Sequence, residues 1–139
     1  MPSRACTATF YTPGLGSCGH FNTEADFIVA VDIATIQSFP GATANPNAYV
    51  PSLSLLPRLL FPLHPRCTCT DTGMRAHDRN PMCGRQMKVT SADGKSVTVT
   101  VADTCPGCAP GSVDLTPTAF EQLAPLSVGR LHGISWTLL

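Results

Sequence analysis

Two short strings in the last third of the chain hold the residues best suited to chemistry: VADTCPGCAP (Val101–Pro110) and DLTPTAF (Asp114–Phe120). They set two carboxylates, Asp103 and Asp114, on either side of a closely spaced cysteine pair, Cys105 and Cys108. A strand delivers the first acid, a constrained turn reverses the chain, and the second acid stands just before a helix. Neighbouring backbone segments thereby bring two acids to one open groove. Paired acids of this kind suit inverting glycoside hydrolysis, in which a protonated acid serves the leaving oxygen and a carboxylate base activates water, with the two carboxyls roughly 6.5–9.5 Å apart. Each acid also has a plainer reading. Asp114 would suit the positive end of a helix dipole, and Asp103 would form a turn at the end of a strand. Cys67-x-Cys69 and Cys105-x-x-Cys108 could together supply four thiolates to zinc, although the Pro-Gly inside the second pair suits a tight turn equally well.

The elements that must position these residues are short. Thr7–Tyr11 reads as a strand followed by a Pro-Gly-x-Gly turn, and Phe27–Val31 as a buried strand. Ile33, Ile36 and Phe39 follow helical spacing until Pro40-Gly41 stops it. Gln86–Thr90 and Ser96–Ala102 flank a loop containing Gly94 and form a hairpin, with Val97, Val99 and Val101 alternating onto one buried face. Thr116 is placed to cap a helix that has Pro117 at its first position and Phe120, Leu123 and Ala124 facing the core. Leu131–Thr137 reads as the closing strand, with Trp136 in the core.

Composition narrows the function. In 139 residues the formal net charge is zero and only 13% are charged, so the chain has no electrostatic footprint for nucleic acid or an anionic membrane. Thirteen prolines and eleven glycines, without long helical periodicity, favour an all-β, turn-rich domain. Seven cysteines point to an oxidising compartment. The apolar run Leu53–Leu63 is too short and too proline-broken to span a membrane.

VxDxCxxC followed by DLTPxAF, with ATFY (Ala8–Tyr11) and GSCG (Gly16–Gly19) upstream, NPMCG (Asn80–Gly84) midway and RLHGISW (Arg130–Trp136) at the end, resembles the RlpA-like double-psi β-barrel family. The small fungal members described as expansin-like or loosenin-like are the nearest in pattern. The resemblance implies an all-β fold, a six-stranded double-psi β-barrel with one or two short helices. It implies disulfides Cys18–Cys83 and Cys105–Cys108, which explains the second pair better than zinc does, and it leaves Cys6 as the odd cysteine. No metal or other cofactor is expected. The resemblance also implies a secreted, extracellular monomer that binds cell-wall polysaccharide. Since no signal peptide precedes the first strand, the natural N-terminus is expected to lie upstream of Met1.

By motif, Asp114 corresponds to the catalytic acid of related barrel endoglucanases and to the matching aspartate of expansins. Asp103 corresponds to the second groove aspartate, and Thr9 and Tyr11 to the residues lining that groove. His132 could bond a sugar or an aspartate, or serve the fold alone. One departure decides against hydrolysis. The endoglucanases carry their base aspartate just after the first-strand tyrosine, and here Thr12, Pro13 and Gly14 follow Tyr11. The histidine-containing segment of the lytic transglycosylases appears here as AVDIATI, without histidine. The expectation is therefore a non-hydrolytic, expansin-like protein that loosens polysaccharide in an open groove. The alternatives are a glycan-cleaving enzyme using Asp114 as its acid, and a protein-binding module such as a protease inhibitor or effector.

The stretch from Ala48 to Arg79 breaks the pattern. Its apolar, proline-broken core Tyr49–Asp78 has neither strand nor helix period, and the family pattern returns if Asn45–Asn47 runs almost directly into NPMCG. Long structureless loops are uncommon inside compact domains. A surface loop is the plain reading. The sharper expectation is a translated, unspliced intron, because Ala-Tyr-Val admits a donor-like GTACGT and Asp78-Arg79 an acceptor-like CAG that keep the reading frame.

Overall fold

The computed structural model describes residues 6–42 and 80–139. The expected insertion, residues 48–79, lies outside them. In chain order the elements are β1 (Thr7–Phe10), β2 (Ile28–Asp32), α1 (Ile33–Ser38), β3 (Gln86–Thr90), β4 (Ser96–Cys105), β5 (Val113–Leu115), α2 (Pro117–Glu121), β6 (Leu131–His132) and β7 (Ser135–Leu138). The seven strands form one curled sheet in the order β6-β1-β5-β2-β4-β3-β7.

The expected closing strand is two strands, which accounts for seven where six were expected. Gly133, at φ 71°, occupies a left-handed conformation that side-chain-bearing residues resist, and it breaks the segment between β6 and β7. β6 then pairs with β1 at one edge of the sheet and β7 with β3 at the other. One continuous piece of chain thus holds both edges, and this makes the sheet curl.

Alternation along the strands sorts their residues to two faces. Ala8, Val29, Val31, Val97, Val99, Val101, Val113 and Leu115 join the buried cluster inside the curl, with Phe120, Leu123 and Trp136 filling it. The Phe10 and Phe120 rings stand 5.1 Å apart in a tilted arrangement. Trp136 is buried and donates its indole N–H to the Gly111 carbonyl at 2.9 Å, so it is a core residue. One local expectation shifts. Thr116 precedes α2 but makes no side-chain cap; its hydroxyl instead donates to the Asp26 carbonyl at 2.5 Å and ties the loop before β2 to the helix. Asp32 caps α1 by accepting from Thr35 N–H and, through its other oxygen, also accepts from Gly111 N–H at 2.8 Å. No helix among the described residues is long and apolar enough to cross a membrane.

Candidate functional site

The strand register assembles the groove. Thr9 pairs with Asp114 between β1 and β5, Asp114 with Ala30 between β5 and β2, and Ala30 with Asp103 between β2 and β4. These four residues form one row across four adjacent strands. Neither Ala30 nor the two aspartates belong to the inner cluster, so the row lies on the outer face. With neighbouring strands about 4.8 Å apart, the two aspartate backbones stand about 10 Å apart. Ala30 between them contributes only a methyl group.

A bulge puts Asp103 in that row. Val29 pairs with Val101 and Ala30 with Asp103, so Ala102 is the extra residue. Such a bulge re-aims the side chain that follows it. Without it Ala102 would face Ala30, and the acid would move to the other face.

Asp103 is held from three sides. Its Oδ1 accepts from the backbone N–H groups of Ser17 and Thr104, both at 2.8 Å, and its Oδ2 from the Tyr11 hydroxyl at 3.2 Å. Burial, the Asp103 charge, the hydrogen bond itself and the Asp114 charge, in that order, push the Tyr11 phenol well above its ordinary value of 10.0. Tyr11 therefore remains a donor at every physiological pH and reaches over the groove floor. Ser17 arrives on a small hairpin whose strands meet at the Leu15–Phe21 bridge. Gly16 makes that approach feasible, since a Cβ there would lie 2.4 Å from the Ala102 carbonyl oxygen. The Cys18–Cys83 disulfide pins the same hairpin to the turn before β3.

Asp114 is held more lightly. Its Oδ1 accepts from the Thr9 hydroxyl at 2.9 Å. Burial raises its carboxyl above the ordinary value of 3.8; the Thr9 bond and the Arg130 guanidinium pull down, the Asp103 charge adds upward, and burial prevails. A carboxyl so placed keeps its proton more readily than a free one, as a general acid or a donor to a sugar oxygen must.

Cys105 and Cys108 are bonded to each other, and their sulfurs lie within 4.8 Å of an Asp114 oxygen. That cluster has metal-ligand residue types, but the bond between the sulfurs leaves only the carboxylate as a ligand. Cys6 is disulfide-bonded as well, which corrects its reading as the odd cysteine.

Thr9, Tyr11, Asp103 and Asp114 therefore come together. His132 does not join them: it sits exposed on β6 opposite Thr7 and bonds neither aspartate. Three residues with a part in the groove were not singled out as site residues by the sequence reading. Ala30 forms its floor, Ser17 holds Asp103 through a backbone N–H, and Arg130 acts on Asp114 while donating to the Thr7 hydroxyl at 3.3 Å. The register reveals Ala30, and the hydrogen bond to Asp103 reveals Ser17; Ser17 and Arg130 stand in the motifs GSCG and RLHGISW, which gave neither of them a role. Glu24 accepts from the Thr12 hydroxyl at 2.6 Å and so stands beside the residue that follows Tyr11.

The curled sheet, its two crossing edges and the outward row of acids define a double-psi β-barrel with an open, acid-lined groove. The chain belongs to the RlpA-like double-psi β-barrel family. The double-psi β-barrel family described as "Lytic transglycolase" matches residues 65–133. The papain inhibitor of Streptomyces mobaraensis is 37% identical over 59 residues, covering 42% of this chain and 41% of the inhibitor. The chain spans less than half the length of the curated relatives it matches. Among solved structures, the Streptomyces papain inhibitor superposes with a TM-score of 0.65 at 28% identity, covering 97% of this chain and 92% of that one. A mutant Clavibacter michiganensis expansin in complex with cellohexaose superposes with a TM-score of 0.58 at 22% identity, covering 98% of this chain and 50% of that one.

Proposed function

We propose that this protein is extracellular and binds cell-wall polysaccharide along the Thr9–Asp114–Ala30–Asp103 row, loosening contacts between glycan chains without hydrolysing them. The row itself carries the reading. Two acids flank a floor no larger than a methyl group, and Tyr11 lies over it, so an extended chain of hydroxyl-bearing rings can lie across the sheet. Asp103 and Asp114 accept from sugar hydroxyls, and Thr9 and Tyr11 fix the acids in place. The fold shared with an expansin solved in complex with cellohexaose supports the reading. Thr12, Pro13 and Gly14 after Tyr11 offer no base to activate water, and without one the acid at Asp114 has no hydrolytic partner.

The test is incubation of the oxidised protein with insoluble cellulose, chitin and peptidoglycan, with mass spectrometry of the supernatant. Depletion onto one polymer without released fragments is expected, with weaker depletion for Asp114→Asn. Released fragments that vanish in Asp114→Asn would make it an enzyme instead, and Glu24→Gln would then show whether the carboxylate beside Thr12 is the base.

One observation favours a second reading, a protein-binding module. Leu15 and Phe21 face each other across the pinned hairpin and are 73% and 76% exposed. A rigid apolar pair of this kind suits a protein surface, and a papain inhibitor is among the structures that superpose on this chain. Inhibition of a cysteine protease that survives loss of both groove aspartates but not Phe21→Ala would establish it.

A further inference from the structure

Of the two disulfides whose cysteines are both described, one lies inside the fold and the other at the groove. Cys18 and Cys83 are buried, at 6% and 8% exposure. Cys105 and Cys108 are half-buried, and the Pro106 and Gly107 that join them are exposed. Cys105 follows Asp103 by two residues on β4, so it shares the outer face on which the acid row lies. A small molecule that reaches the acids therefore also reaches this disulfide.

An accessible disulfide exchanges with thiolates, at a rate set by access and by the charge around the sulfurs. An Asp114 carboxyl oxygen lies within 4.8 Å of both sulfurs. Asp32 stands opposite Cys105 in the register of β2 and β4, but its two oxygens are taken by the N–H groups of Thr35 and Gly111. The Arg130 guanidinium attracts the Asp114 charge and Asp103 repels it. Asp114 thus sets a negative charge where exchange must bring in one sulfur anion and expel another. Opening this disulfide spares the fold, since its 3-residue span constrains the unfolded chain less than the 65-residue span of Cys18–Cys83.

We propose that Cys105–Cys108 is a thiol–disulfide exchange site for small aliphatic thiols, and that the Asp114 carboxylate slows the exchange by repelling the incoming thiolate. A thiolate RS⁻ bonds to one cysteine sulfur, the S–S bond breaks, and the other sulfur leaves as a thiolate that takes a proton from water. A second RS⁻ attacks the R sulfur of the mixed disulfide and expels the remaining cysteine sulfur, which is protonated in turn. The protein disulfide gains two electrons, and two thiols are oxidised to RS–SR. The site stands apart from the glycan reading of the row. It joins the acid and the turn beside it into one unit, in which neutralising Asp114 opens the disulfide to reduction.

The test incubates the full, oxidised chain with 2-mercaptoethanol at pH 8 and quenches with iodoacetamide without denaturant. Peptide mass spectrometry then reads the label or mercaptoethanol adduct on each cysteine. Cys105 and Cys108 should react about tenfold faster than Cys18 and Cys83, while far-UV circular dichroism stays native. Asp114→Asn should speed the Cys105–Cys108 reaction about threefold, as removing one charge ~6 Å from the incoming anion in water does. The Cys18–Cys83 rate should not change, and it serves as a control for folding within the same molecule. Salt at about 1 M should close the gap between variant and wild type. Equal rates at the two disulfides, or labelling that appears only as circular dichroism is lost, overturns the exchange site. An Asp114→Asn rate at or below that of wild type, or a gain shared by both disulfides, overturns the control by Asp114.

Discussion

The two acids of the groove sit in the same row, yet the fold holds them differently. Asp103 accepts two backbone N–H groups and a tyrosine hydroxyl, and one of those N–H groups comes from a hairpin pinned by a disulfide spanning 65 residues. Asp114 accepts one threonine hydroxyl, and the disulfide beside it spans only 3 residues. Backbone donors cannot rotate away, whereas a hydroxyl can. The Asp103 end is therefore a fixed wall that the fold depends on. The Asp114 end can exchange its threonine partner for a ligand or a proton at little structural expense. A groove with one fixed and one adaptable acid suits gripping a polymer and releasing it.

The sharpest way to break this contrast is through the disulfides. Closing a 65-residue span removes far more disorder from the unfolded chain than closing a 3-residue one, about 4 against about 2 kcal/mol on the chain-entropy account. Replacing both Cys18 and Cys83 by alanine should lower unfolding stability by about 4 kcal/mol in urea melts, against about 2 for Cys105 and Cys108. Equal losses would mean that the Asp103 end is no more constrained than the other. Next in size is Asp103→Ala, which strands the Ser17 and Thr104 N–H groups on a half-buried surface. A loss of about 2 kcal/mol is expected, together with faster amide exchange at Ser17. Unchanged exchange there would show that the hairpin does not need the carboxylate.

The sequence disclosed these two ends unequally. Strand alternation at Val97, Val99 and Val101, the helical spacing of Ile33 and Ile36, and the Pro117 start of α2 are local signals, and each element formed where its pattern lay. The split of Leu131–Thr137 was hidden because φ at Gly133 is set by which edges the two halves must reach, and those edges lie more than forty residues upstream along the chain. The site followed the same division. Asp103, Asp114, Thr9 and Tyr11 stood out by type and motif. Ala30 and Ser17 act through position alone, a methyl group in the right register and a backbone N–H at the right turn, and register is a property of pairing rather than of any one segment. His132 had the right chemistry, but its strand carries it to the opposite side of β1 from β5, away from the acids.

Smaller effects sharpen the Asp114 side. Thr9→Val keeps the shape and removes the one hydroxyl that Asp114 accepts, for a loss of about 1 kcal/mol. Because that bond lowers the Asp114 carboxyl, its removal should also raise the titration midpoint of the Asp114 carboxyl carbon in NMR. A midpoint that stays or falls would show that the hydroxyl does not govern the acid.

The finest distinction is one of pH. The Asp114 carboxyl lies above its ordinary 3.8 in the folded protein because burial disfavours the charge, so between the unfolded and folded values the native state binds the extra proton. Its contribution to stability is complete below 3.8 and is lost as pH rises through the folded value. Asp114→Asn cannot lose it, so the stability of the variant relative to wild type should climb with pH just above 3.8 and then level off toward neutrality. Urea melts of the pair from pH 3 to 7 isolate this group, because other titrations cancel in the difference unless they are coupled to it. A difference that is flat, or that falls with pH, would mean that Asp114 is as firmly held in its charged form as a fixed wall requires, and the contrast between the two ends of the groove would be gone.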